Sequence, residues 1–294
     1  MSIFVSTDNG TTLLNVLNAY GNLPQGGMVN GKIVTSVSSS NLTVALKTLA
    51  GTDPSATDPI YVRIANTIYT ITTAINKTRN AGTNWFNAGS AELATQEIDY
   101  FVYLRGGTGV DLVFSRLSNC LTDDDWSSTS TSERFGSTNA STAVECIGRF
   151  NAILSAGGGY TWSIPATSIV INKPIYESRW LSWTPTITAN GSSFTNAPSL
   201  FNGAFYRVMN NRVQLDLSIH YNSNSGGTGG VSATLPMQSK YQYSVGYGTG
   251  ASSGKSFGVF VGNGNTTQIS WANYDSTTPI TNNYYDSIGG IYQI

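Results

Sequence analysis

The chain has 294 residues, a formal net charge of −1 and only 11% charged side chains, roughly half the ordinary share. It carries 36 Ser, 35 Thr, 27 Asn and 31 Gly, which favours strands and turns over helices, while 40% hydrophobic residues with 11% aromatics exclude a disordered chain. Its 15 basic residues are spread without a cluster, against a nucleic-acid-binding face, and no apolar run approaches the ~18 residues of a membrane-spanning helix.

At the start of the chain, Leu13, Val16, Leu17 and Tyr20 recur at helical spacing between a capping Thr11 and a terminating Gly21, which predicts one short helix. Residues 1–27 are therefore an arm with a short helix, suited to docking on a larger assembly. The opening Met1–Asp8 has neither a basic stretch nor a long apolar run, so no signal peptide is expected and the product is made in a cytoplasm.

From Met28 onward the period is two. Lys32–Val37 and Leu42–Lys47 flank Ser38-Ser39-Ser40-Asn41, a hairpin pattern. An alternating stretch of β-branched residues follows from Tyr61 to Ile75, and Ile98–Leu104 with Val110–Phe114 makes another hairpin around Gly106-Gly107-Thr108-Gly109. Ala88–Glu97 reads as a helical turn and Asp123–Thr142 as a long polar surface loop. Val144–Leu154 and Tyr160–Ile164 are further strands.

Residues 1–180 hold 24 of the charges and residues 181–294 only 7. That shift places a boundary between β-rich domains at 28–178 and 179–294. In the latter, Ala204–Met209 and Arg212–Tyr221 are joined by Asn210-Asn211, residues that tolerate the positive φ of a tight hairpin. Val231–Leu235, Tyr243–Tyr247, Lys255–Val261, Gln268–Ala272 and Gly290–Ile294 follow. Many short strands without intervening helices predict an all-β chain whose C-terminal domain is a β-sandwich or jelly roll. With few charges to protect its sheet edges, such a chain is expected to close on copies of itself in a compact symmetric homo-oligomer.

Trp183-Thr184-Pro185-Thr186-Ile187-Thr188-Ala189-Asn190-Gly191 and Phe201–Leu217, with the glycine-rich Gly226–Gly230 and Leu235-Pro236 after them, resemble the distal domains of bacteriophage tail-fibre and receptor-binding proteins. Asn80–Asn87 and Ile98–Leu104 are likewise similar to phage virion proteins. The resemblance implies a virion structural protein, a homotrimeric fibre or spike. Its N-terminal region would meet other virion proteins, and residues 179–294 would face a host surface glycan or protein. The chain lacks heptads, collagen-like repeats and shaft repeats, so a capsid head fibre or decoration protein and a glycan-degrading spike are the alternatives.

Little in the chain speaks for catalysis. The single histidine, His220, sits on a predicted strand on the face opposite Leu215, Leu217 and Ile219, and no Gly-x-Ser-x-Gly elbow accompanies it. Cys120 and Cys146 lack metal-ligand spacing and read as reduced thiols or at most one bridge. Asp123-Asp124-Asp125, the only acidic cluster, lacks the spacing of a calcium loop. No catalytic residue, metal site or cofactor is expected. Aromatics, however, crowd the last 60 residues, and sugar recognition uses aromatic faces rimmed by amides and hydroxyls. Tyr241, Tyr243, Trp271, Tyr274, Tyr284, Tyr285 and Asn283 are the candidate receptor-binding residues, with Tyr284-Tyr285 expected to be exposed.

Overall fold

A computed structural model describes residues 23–81, 95–118, 134–135, 142–155, 161–210, 212–222, 228–239, 244–250, 256–261, 267–273 and 284–294. These residues are all-β, with no helix among them. The expected N-terminal helix, the helical turn up to Glu97 and the Asp123–Thr142 loop fall wholly or largely outside them. The described residues form two compact units, one reaching Tyr176 and the other running from Glu177 and including Gln96.

The first unit contains β1 (Met28–Val29), β2 (Gly31–Ser38), β3 (Asn41–Thr48), β4 (Ile60–Ile64), β5 (Thr67–Ile71) and β6 (Ile75–Arg79). It continues with β7 (Glu97–Arg105), β8 (Asp111–Ser115), β9 (Arg134–Phe135), β10 (Val144–Leu154) and β11 (Trp162–Ser163). They make two three-stranded sheets, β1-β4-β5 and β2-β3-β6, and a five-stranded sheet, β11-β10-β7-β8-β9. The β2–β3 hairpin turns on Ser39 and Ser40, both at positive φ, the geometry that matches strand twist in a two-residue loop. The alternating stretch Tyr61–Ile75 is not one strand. It folds back at Ala65, whose φ is 50°, pairing Ile64 with Thr67.

The inner strands β7 and β10 are buried on both faces along almost their whole length, with Asp99, Arg149 and Asn151 set among their apolar residues. One face packs Tyr100 on Phe150 (5.3 Å), Trp162 (5.8 Å) and Phe114 (6.4 Å). The other carries Phe101, Tyr103, Val113, Val144 and Cys146. Asp99, whose side chain is wholly buried, pairs with Arg149 at 3.1 Å. Next to it Ile171 exchanges two backbone hydrogen bonds with Arg149, 3.0 and 2.8 Å long. A Cβ on Gly148 would lie 2.1 Å from the Ile171 carbonyl oxygen, so only glycine lets this segment cross so closely.

The second unit contains β12 (Leu181–Ser182), β13 (Ile187–Ala189), β14 (Ser199–Met209), β15 (Arg212–Tyr221), β16 (Val231–Thr234), β17 (Ser244–Gly250), β18 (Ser256–Val261), β19 (Gln268–Asn273) and β20 (Tyr284–Gln293). They form one antiparallel sheet in the order β12-β14-β15-β20-β17-β18-β19-β16-β13. Its two end strands, β12 and β13, are consecutive in the chain, so the sheet must curl until its ends meet. The Trp183 indole N–H donates to the Thr234 carbonyl (3.1 Å) and Thr234 N–H to that of Thr186 (3.1 Å), latching the curl. This is a sandwich-type arrangement. Its interior holds Trp183, Tyr206, Leu215, Leu217, Ile219, Tyr221, Phe257, Trp271, Ile288 and Tyr292, all at most 2% exposed.

Candidate functional site

Strict alternation along β15, β20, β17 and β18 sends one residue in two outward. Cross-strand partners share a face, so register alone maps the outer surface. One row is Ser199, His220 and Tyr285. The next is Ser218, Ser287, Thr249 and Ser256. The third is Phe205, Asp216, Gly289, Tyr247 and Gly258. The face thus reads aromatic, then hydroxyl, then aromatic with one carboxylate.

The first row carries an aromatic cluster. Tyr285 stacks on His220 with ring centroids 4.5 Å apart and planes 18° from parallel. Phe201 meets Tyr285 edge-on at 4.6 Å, although 59% of its surface is exposed. Phe201 reaches this place because β14 shifts register between Leu200 and Ala204, and bulges re-aim side chains in this way. Gly203 adopts φ 93° there, a conformation that side-chain-bearing residues avoid. Three rings held against one another keep an aromatic surface in place without much side-chain entropy left to lose on binding.

Beneath this face, on the core side, lies a buried carboxylate. Asp286 is 3% exposed. It accepts hydrogen bonds from the Tyr221 hydroxyl (2.8 Å) and the Trp271 indole (3.1 Å) at the same oxygen. Burial raises its pKa against the lowering effect of those two donors, to about 6. The Tyr221 hydroxyl is held well above its ordinary value by its own burial and by the charge of Asp286.

Of the receptor-binding candidates, Tyr285 sits in the outer cluster. Trp271 does not face outward: it is fully buried, and its indole is committed to Asp286. The alternation of Ile269 and Trp271 was the signal for that. Tyr284 begins β20, while Tyr241, Tyr243, Tyr274 and Asn283 lie outside the described residues, as do Cys120 and Asp123-Asp124-Asp125. His220 lies on the face opposite Leu215, Leu217 and Ile219, half-buried under Tyr285 rather than free. Phe201 and Tyr247 are outer-face aromatics that the candidate set lacks. Among its described residues the first unit offers no comparable display. Its Cys146 is a free, buried thiol pushed up to about 11 by burial, unreactive as a nucleophile. Among the described residues no group of three or more His, Cys, Asp or Glu is placed to hold a metal ion. Comparison with protein-family models, with curated proteins and with solved structures gives no match.

Proposed function

We propose that the chain is a structural protein of a phage particle, assembled as a homotrimer, whose second unit contacts host-surface glycan through the outer face of its nine-stranded sheet. The observation that carries this reading is the Phe201–Tyr285–His220 cluster, which a bulge holds outward beside a row of hydroxyls. Aromatic faces pack against sugar C–H groups, while serine and threonine hydroxyls both donate to and accept from sugar hydroxyls. The phage-like sequence pattern from residue 176 onward and the scarcity of charge in this half support the same reading. Three such faces on one particle would act together, so each site can be weak.

The test is retention of the purified full chain on a printed array of bacterial-type oligosaccharides. Phe201→Ala and Tyr285→Ala should each weaken retention by about tenfold, equivalent to ~1.4 kcal/mol of aromatic contact, with melting close to that of the parent. A folded parent chain retained by no glycan would remove the proposal.

A further inference from the structure

Gly289 is a glycine in the middle of a ten-residue strand, where its lack of a side chain costs stability. Packing does not require it. A Cβ there would meet nothing within 4 Å among the described residues, and its φ lies outside the left-handed range. The adjacent strand offers a contrast. A Cβ on Gly246 would lie 2.0 Å from the Gly289 carbonyl oxygen, and one on Gly248 would lie 2.0 Å from the Phe257 ring. Those two glycines are explained from inside the fold; Gly289 is not. A strand glycine unexplained by bulge or bend marks a place where something approaches the backbone closely from outside.

What surrounds Gly289 identifies the visitor. Its cross-strand neighbours are Tyr247 on one side and Asp216 on the other. Tyr247 is 74% exposed, and its own far partner is again a glycine, Gly258, so the ring stands with no side chain opposite it on either flanking strand. Asp216 is exposed and has no ion-pair partner among the described residues. Along β20 the slot is bordered by Ser287, which continues the hydroxyl row, and by Ile291. Arg207, paired in register with Gln214 two positions from Asp216 on β15, is engaged by Gln214 (2.9 Å) and by the Trp180 ring (5.0 Å).

We infer that the slot floored by Gly289 and walled by Tyr247 and Asp216 is a subsite for one ring of an uncharged sugar chain. The sugar lies against bare backbone, one face on Tyr247, with its hydroxyls donating to the Asp216 carboxylate. That carboxylate turns away uronic and other acidic sugars by like-charge repulsion. The inference rests on the proposed glycan-binding role and places a second contact four residues along β20 from Tyr285, so the occupant is an oligosaccharide spanning both positions.

The experiment uses the full chain and arrays of neutral and uronate-containing oligosaccharides, with melting and light scattering run on every variant. Gly289→Ala and Gly289→Val fill the slot without removing any contact. Both should melt at or above the parent temperature yet lose neutral-glycan retention, Gly289→Val to the level of an unrelated protein. Tyr247→Ala should lose retention as well, and Asp216→Asn should gain retention on uronate-containing chains. If the parent binds glycan and Phe201→Ala or Tyr285→Ala weakens it while the Gly289 variants bind normally, the subsite is overturned and the wider proposal stands. If the Gly289 variants change only the oligomeric state, the slot is an interface between copies and the inference fails. A folded parent that binds no glycan overturns both.

Discussion

Asp286 makes the stability of the second unit depend on pH in a direction opposite to that of most carboxylates. Its folded-state pKa is about 6 against an ordinary 3.8, so the folded chain holds the proton more tightly than the unfolded chain. The sign follows from linkage. The stability this confers is complete below the unfolded pKa, near pH 4, and is lost as the pH rises through 6, with no further change above. A difference of roughly two pKa units corresponds to about 3 kcal/mol. Glu145 is also raised by burial and tilts the curve the same way, so the parent alone does not isolate Asp286. Asp286→Asn does, because an amide oxygen still accepts from Tyr221 and Trp271 while nothing titrates. Calorimetric melting of the full chain at intervals from pH 4 to pH 8 should show the parent losing about 3 kcal/mol relative to Asp286→Asn across that window. A constant difference between the two proteins would refute the reasoning, showing that water or a nearby cation solvates the carboxylate.

In the first unit, Arg149→Ala should destabilise the chain by about 3–5 kcal/mol, because it takes the 3.1 Å ion pair away from the buried Asp99 carboxylate; Asp99→Leu combined with Arg149→Met should recover most of that loss in denaturant titrations. Gly148→Ala should cost about 2 kcal/mol or more, since the added methyl meets the Ile171 backbone and parts the two hydrogen bonds there; chemical denaturation measures it. Alkylation at Cys146, followed by peptide mass, should proceed only as fast as the chain opens, given a buried thiol whose pKa is pushed up to about 11.

Much of the fold follows from alternation. Val144–Leu154 and Arg212–Tyr221 end where the pattern places them, because one flank carries a clear change of polarity and the other a turn residue. The break at Ala65 was illegible, since alanine rarely enters the left-handed region and nothing local announces it. β20 begins six residues earlier than the expected Gly290–Ile294. Gly289-Gly290 looks like a strand end in isolation, yet long partners on both sides hold it in the ladder. At the candidate site, Tyr285 was legible as an aromatic beside a polar stretch. The display of Phe201 was not, because it depends on a register shift that only the pairing of β14 with β15 defines. The burial of Trp271 is legible from strand parity, since it lies two residues from Ile269 and shares its inward face, but not from residue type, because an indole suits a sugar as well as a core.

The order of strands has a consequence for synthesis. β20 follows every other described strand in the chain, yet it sits between β15 and β17 near the middle of the sheet. A nascent chain can pair β14 with β15, and β17 with β18, but β15 and β17 are joined only through β20. Premature termination would therefore remove a keystone rather than an edge, and with it both Tyr285 and Gly289. The outer face is therefore continuous only where both ladders of β20 have formed.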